Sequence, residues 1–355
     1  MSSMTENPPD VSLAVIAGID THKDTHHAAI IDHLGRKICD REFPATGAGY
    51  RALLAWLIGT GIVVRVGIEG TGSYGSALTT VLLAAGLEVV DVDRTDRRSR
   101  RFHGKSDPLD AYSAARIAAA GLARTIPKTH DGDVEAIRFL HNARRSAVKA
   151  RAEAITGLKS AVVNAPEPIR EQLRGLTTVA LIDACAALRP TAVTPGALTA
   201  AIKTALRSVA RRIQLLDADI KALDKNLAVL IDDAAEDLVG RFGVGYETAA
   251  QLLITVGDNP HRVSSEAAFA SLCGVAPLPA SSGKTTRHRL NRGGNRQANR
   301  ALHVIVMARL KYDTRTQQYR DRRLAEGKSK RDIIRCLKRA VAREMFQLLT
   351  QKTAT

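Results

Sequence analysis

Between Leu198 and Leu230 ten apolar residues recur at alternating steps of four and three: Leu198, Ile202, Leu206, Val209, Ile213, Leu216, Ile220, Leu223, Leu227 and Leu230. Steps of this kind keep one apolar stripe along an α-helix, the pattern of a coiled-coil seam. At 1.5 Å per residue the helix would be roughly 50 Å long. No single compact core accommodates such a rod, and a chain of 355 residues predicts two or three domains at about 150 residues each. A second stretch, Val134 to about Val163, is rich in Ala, Arg, Lys and Leu with no glycine before Gly157, and reads as another long helix. The two form a helical hairpin with prolines at 166, 168, 190 and 195 in its connection. Its seam either is filled by the hairpin itself or meets a second protomer, and dimerisation is the expectation.

Ahead of the hairpin the periodicity changes. LAVIAGID, HHAAIID and KICDREF, within residues 13–43, are β-branched stretches separated by THKDT and HLGR, and read as consecutive strands of one sheet. A helix around Tyr50 to Ile58, the strand VVRVGIEG, a helix near Ser76 to Ala85 and the strand LEVVDVD follow. Alternating strands and helices define an α/β domain. Ser106-Asp107-Pro108 then opens a helix through Ala120, with Asp107 expected as N-cap and Pro108 as the first helical residue.

Two of these strands end in a carboxylate. Asp20 closes LAVIAGID and Glu69 closes VVRVGIEG, which puts both at the carboxyl edge of the sheet, where α/β folds build their sites. Asp107 and Asp110, three apart at a helix start, face the same way. Four converging carboxylates repel one another, and hard divalent cations such as Mg²⁺ relieve the repulsion through oxygen ligation. Two such ions about 4 Å apart can clamp a phosphodiester. Taken singly, each acid has a plainer reading as a turn former or helix cap, and Asp24 and Asp32 read only as turn or surface residues.

Charge points to the partner. Lys and Arg number 52 against 36 Asp and Glu, a net charge of +16, and the stretch Gly283 to Met345 alone holds nineteen basic residues against five acidic ones. A smaller cluster comprises Arg94, Arg97, Arg98, Arg100, Arg101 and Lys105. Such surfaces suit nucleic-acid phosphates. Aromatics make up only 4% of the chain, against base-stacking platforms. Gly243-Val244-Gly245, between two helical stretches, has the layout of a helix-hairpin-helix whose backbone approaches a phosphate closely. Beyond it, Ser281, Ser282 and Gly283 precede Lys284, Arg287, Arg289, Arg292 and Arg296. No apolar run approaches the ~20 residues of a membrane span. The first ten residues carry acids and prolines rather than a basic leader, so a cytoplasmic, nucleoid-associated protein is expected. Four cysteines stand singly, with no metal-binding spacing.

The motifs GIDTHKDTH, GIEGTGSYG, KSDPLDAYSAARIA, GVGYETAAQLL and SSGKTTRHRLNRGGNRQANRAL, in this order and spread over nearly the whole chain, resemble the DEDD transposases of the insertion-sequence one-ten family. The resemblance implies a RuvC-like, RNase H-type domain at 1–125, a helical coiled-coil region at 126–236 and a mainly α C-terminal transposase domain with a helix-hairpin-helix at 237–355. It implies Asp20, Glu69, Asp107 and Asp110 as ligands of a pair of Mg²⁺ ions, and the serine before Gly283 as nucleophile, Ser282 being preferred to Ser281. Arg97, Arg98, Arg100, Arg101, Lys105, Gly243, Gly245, Lys284, Arg287, Arg289, Arg292 and Arg296 would contact nucleic acid. Partners would be double-stranded DNA at donor ends and target, a non-coding bridge RNA, and further copies of the chain as a dimer or tetramer that brings serine and carboxylates to one reaction. Leu290-Asn291-Arg292-Gly293-Gly294 departs from the Ile-Ser-Lys-Arg-Gly segment of many family tails. Two other readings of the residues stay open: a structure-selective nuclease in which water attacks, and a non-catalytic nucleic-acid scaffold.

Overall fold

The computed structural model describes residues 14–92, 106–281, 283 and 288–351. They fall into two compact units, one within Met1–Gly132 and Val256–Ser264, the other within Asp133–Thr255 and Ser265–Thr355.

The first unit is built on a five-stranded sheet. Its strands are β1 (Ala14–Thr21), β2 (Thr25–Asp32), β3 (Lys37–Pro44), β4 (Ile62–Glu69) and β5 (Val89–Val92), ordered β3-β2-β1-β4-β5. β1 to β3 form an antiparallel meander, whereas β4 and β5 run parallel to β1, because helices α1 (Gly47–Thr60) and α2 (Ser76–Ala84) return the chain across the sheet. Asp32, read as a turn residue, does hold the β2–β3 turn: one carboxylate oxygen accepts from the amides of Leu34 and Arg36, the other from the Arg36 guanidinium. It is nonetheless buried.

Alternation along the strands sorts the two faces. Val15, Ala17 and Ile19 of β1 and Val66 and Ile68 of β4 pack with Leu53 and Leu57 of α1 and Leu78 and Leu82 of α2. The opposite face carries Ile16, Ala29, Ile31, Val90 and Val92 under α3 (Asp107–Ala119), whose contact residues are mostly alanines: Ala111, Ala114, Ala115 and Ala118. The helix begins one residue earlier than its sequence suggests. Ser106 holds the extended N-cap conformation, and Asp107 and Pro108 are the first helical residues, so Asp107 is not the cap. Proline tolerates this place because early helical amides lack an intrahelical acceptor anyway.

The second unit is mainly helical. α4 (Asp133–Val163) and α7 (Leu198–Val239) are its long members, joined through α5 (Glu167–Leu173) and α6 (Thr178–Ala186). Arg144 pairs with Asp224 and Arg151 with Asp217, a crossed numbering that defines an antiparallel hairpin. Leu206 and Ile213 of the apolar stripe are buried within this chain, against Leu158 of α4, Ile169 of α5 and Leu181, Ile182 and Cys185 of α6. Leu198 remains exposed, and the helix departs from helical geometry at Ala235. The remaining helices are α8 (Tyr246–Val256), α9 (Glu266–Leu272), α10 (Arg296–Tyr312), α11 (Thr314–Ala325) and α12 (Lys330–Gln351). Phe269 of α9 meets Phe346 of α12 at 5.9 Å between ring centroids, and Arg309 of α10 grips Glu344 of α12 with two hydrogen bonds of 2.7 and 3.0 Å. A two-residue ribbon, β6 (Leu278–Pro279) with β7 (His288–Arg289), brackets the serine segment.

Candidate metal centre and basic surfaces

The carboxyl ends of β1 and β4 lie side by side. In their parallel pairing Gly18 faces Gly67 and Ile19 faces Ile68, so Asp20 and Glu69 come next along neighbouring strands. Each carboxylate is two residues past a glycine and shares its face, the face that α3 covers. A β-carbon on Gly18 would lie 2.1 Å from both the Ala111 oxygen and the Ala115 nitrogen, and one on Gly67 would lie 2.7 Å from the Ala114 oxygen. Helix and sheet thus touch backbone to backbone. That close approach delivers the first turn of α3, with Asp107 and Asp110, to the strand ends. Two further contacts fix the corner: the Thr21 hydroxyl donates to the Glu69 carbonyl at 2.7 Å, and the Gly70 carbonyl accepts from the amides of Ser73 and Gly75.

Asp20 and Asp110 are buried, while Glu69 and Asp107 are partly open to solvent. The tight group is Asp20, His22 and Asp107, whose ligating atoms all lie within 4.8 Å of one another. Glu69 and Asp110 stand at the same strand edge and helix turn but outside that group. Carboxylate oxygens gathered with one imidazole at a partly open corner fit a divalent ion by the chemistry of the donor set. His22 is the residue that sequence reasoning missed. Its signal was present, since GIDTHKDTH places a second metal-competent side chain two residues after Asp20.

Comparison with known proteins agrees. A family model described as Transposase, for the DEDD domain of IS110 elements, matches residues 17–165, and one described as Transposase IS116/IS110/IS902 family matches residues 238–321. The chain belongs to the IS110 family of DEDD transposases. Over nearly its full length this transposase is similar to the Insertion element IS110 uncharacterized 43.6 kDa protein of Streptomyces coelicolor, with 27% identity over 96% of the chain and 95% of the relative. It also resembles the Insertion element IS900 uncharacterized 42 kDa protein of Mycobacterium paratuberculosis, at 23% identity over 94% and 95% of the two chains. Its substrate is accordingly DNA, and the DEDD domain implies a divalent metal. Among the described residues no helix is long and apolar enough to cross a membrane.

The basic residues of the transposase divide by location. Arg94, Arg97, Arg98, Arg100, Arg101, Lys105, Ser282, Lys284 and Arg287 lie outside the described residues. Arg289, Arg292 and Arg296 are exposed. Arg289 borders a cavity of about 650 Å³ together with Lys328, Arg335 and Lys338, and Arg292 and Arg296 border a smaller one of about 250 Å³. Gly274 lines both, and a β-carbon on Gly294 would lie 2.3 Å from the Gly274 nitrogen, so only glycine lets these segments touch. Asn295 then caps α10, accepting from the amides of Gln297 and Ala298.

Gly243 and Gly245 border a third cavity, of about 540 Å³, with Arg144, Arg145 and Lys149 of α4 and Arg300 of α10. Gly243 adopts φ +83°, a conformation that favours glycine. Within this turn the Val244 amide donates to the Arg241 carbonyl and the Gly245 amide to the Thr248 hydroxyl, so these two amides are used internally. Cationic side chains rather than those amides give the cavity its charge. His141, buried at its floor, sets Nε2 3.1 Å from Glu247 Oε1, and Arg144 donates to the other Glu247 oxygen at 2.7 Å. Led by the His141 hydrogen bond and opposed by desolvation, these contacts hold the Glu247 carboxyl below its ordinary value.

Proposed function

We propose that the transposase cuts and rejoins DNA strands at a site where Asp20, Glu69, Asp107 and Asp110 hold two Mg²⁺ ions and the Ser282 hydroxyl is the nucleophile, guided by an element-encoded bridge RNA. The observation that carries this reading is the meeting of Asp20 and Asp107, from a strand end and a helix start 87 positions apart in sequence, within one 4.8 Å group. The strand order β3-β2-β1-β4-β5, with carboxylates at the ends of its two central parallel strands, supports a RuvC-like assignment.

Bound there, Mg²⁺ would polarise the scissile phosphate and stabilise the charge that develops on it. The chain's own residues do the rest. Ser282 Oγ forms the new bond to phosphorus, its proton leaves, and the bond to the 3′ oxygen breaks, giving a 5′-phosphoserine link and a free 3′-OH. That hydroxyl attacks the corresponding link on a partner strand, which restores the serine and joins the strands without a high-energy cofactor. Lys284, Arg287 and Arg289 neutralise phosphate charge, and Arg97, Arg98, Arg100, Arg101, Lys105, Arg292 and Arg296 extend the contact. The glycine turn at Gly243 and Gly245 serves as a helix-hairpin-helix element whose neighbouring arginines meet the backbone. A domain division at 1–125, 126–236 and 237–355, a coiled-coil role for the hairpin and a dimeric or tetrameric assembly complete the proposal.

The test is a suicide DNA substrate that traps a denaturant-stable protein–DNA adduct, with the modified peptide mapped by mass spectrometry. Phosphate on Ser282, and loss of the adduct in Ser282→Ala, are expected. Cleavage with no adduct in the wild type would instead mean that water attacks. Copurifying RNA, sequenced and matched to the element, tests the guide.

A further inference from the structure

We infer that His22 supplies a nitrogen donor to the divalent ion that Asp20 and Asp107 hold, making this a mixed oxygen and nitrogen site that accepts Mn²⁺ as well as Mg²⁺. The inference rests on the metal reading of the carboxylates and adds to it a ligand outside the four acids.

The imidazole stands between two acids on different elements. Nδ1 lies 3.7 Å from Asp20 Oδ2 and Nε2 lies 4.0 Å from Asp107 Oδ1. Neither separation is a hydrogen bond, which for nitrogen and oxygen closes to about 2.7–3.2 Å. The same chain shows what an engaged histidine looks like: His27 Nε2 reaches Asp40 at 2.8 Å and His141 Nε2 reaches Glu247 at 3.1 Å. His22 therefore sits beside two carboxylates without closing on either. Ligands bound at about 2.1 Å to one ion lie about 3 to 4.2 Å from each other; each nitrogen stands at such a distance from its nearer acid, and one ligating atom from each of the three residues lies within 4.8 Å of the other two.

The placement does not come from core packing. The ring is 41% exposed, and the backbone sets its position, through the His22 amide donating to the Thr25 carbonyl at 3.0 Å in the β1–β2 turn. A histidine that ligates through one nitrogen usually presents the other to a carboxylate, which fixes the ring. One acid faces each nitrogen, at 3.7 and 4.0 Å, so whichever nitrogen binds leaves the other turned toward a carboxylate without a hydrogen bond to it. Mg²⁺ prefers an all-oxygen shell, whereas imidazole suits first-row transition ions increasingly along their series, so the added nitrogen widens the choice of metal.

Mn²⁺ titrated into the full-length protein and followed by pulsed electron paramagnetic resonance tests this directly. Wild type should bind Mn²⁺ with a nitrogen hyperfine coupling. His22→Ala and His22→Gln should both lose the coupling and bind Mn²⁺ about tenfold more weakly. Mg²⁺ affinity, measured by competition, should change less than about threefold. Unchanged melting of both variants is expected from an exposed ring. Should Mn²⁺ bind in a manner abolished by Asp20→Asn, yet show no nitrogen coupling, or a coupling that survives in both His22 variants, His22 is not a ligand while the carboxylate site stands. Absence of any Mn²⁺ binding to the wild type would overturn both.

Discussion

Gly18 and Gly67 face each other across the parallel pairing of β1 and β4, each two residues ahead of the carboxylate that ends its strand. Together they leave this part of the sheet face without side chains, so an alanine-rich helix can rest its backbone on them and bring its first turn, with Asp107, to Asp20 at the strand end. The acid site is thus set by two residues that carry no side chain.

Substituting Gly18 by Ala should therefore damage stability and metal response together. The new methyl meets fixed backbone atoms of α3 at 2.1 Å, and overpacking of this kind costs about 1–3 kcal/mol, occasionally more. Gly59→Ala, where an added β-carbon meets nothing within 4 Å, should be neutral or up to about 1 kcal/mol stabilising. Thermal unfolding with and without Mg²⁺ checks both: Gly18→Ala should melt lower and gain less from the ion.

Glu69→Gln removes one negative charge from the strand edge while keeping the side chain's shape. Strand cleavage in Mg²⁺ should fall by at least about a hundredfold, whereas DNA or RNA retention should stay within about twofold, because affinity comes from the basic surfaces. Filter binding beside a cleavage assay separates the two, and equal losses would argue against catalysis at this carboxylate.

Position along the long helix predicts opposite outcomes for two neighbours. Ile213 is fully buried within the hairpin, so Ile213→Asp should cost several kcal/mol of folding energy even in a monomer. Leu215, 68% exposed, should tolerate Asp within about 0.5 kcal/mol. Denaturant titrations at two protein concentrations distinguish a folding defect from lost assembly.

Acid should weaken the second unit through Glu247. Its carboxyl is held below the ordinary 4.5, first by the His141 hydrogen bond, against the upward pull of desolvation, and then by the charges of His141, Arg144 and Arg300. A depressed carboxylate stabilises the fold fully above its unfolded value, and that contribution disappears as pH falls through the folded one. Wild type should accordingly exceed Glu247→Gln in stability at pH 7, with the gap closing below about pH 4.5. Half of the carboxylate side chain is open to water, so the difference is modest.

Arg289, Arg292 and Arg296 are exposed along the tail and border two cavities. Their replacement by Ala should weaken nucleic-acid binding evenly across sequences, and each lost phosphate contact should lower the salt slope by about one. Binding isotherms between low and moderate salt measure it.

Much of the first unit was legible because a strand or helix writes its own period into the chain. The three-strand meander and the carboxylates at the ends of GID and GIE follow from spacing and turn residues, as does, in the second unit, the long helix read over 198–230, which continues to Val239. Spacing does not say what covers a face. The stripe on α7 would fit a second chain as well as its own, and the structure buries Leu206 and Ile213 against α4, α5 and α6 of the same chain. Nor do local cues give the start of α3: Asp107 is a good cap in isolation, yet Ser106 holds that place and Asp107 turns toward His22. The return of Val256–Ser264 to the first unit, where Asn259 donates to the Pro127 carbonyl and Arg262 to that of Ile126, has no periodic signature at all. Sequence alone determined which elements form and that acidic residues end two strands and begin a helix. The tertiary structure decided which of those residues meet, because only the close packing of a helix on two glycines brings side chains from strand, turn and helix to one corner.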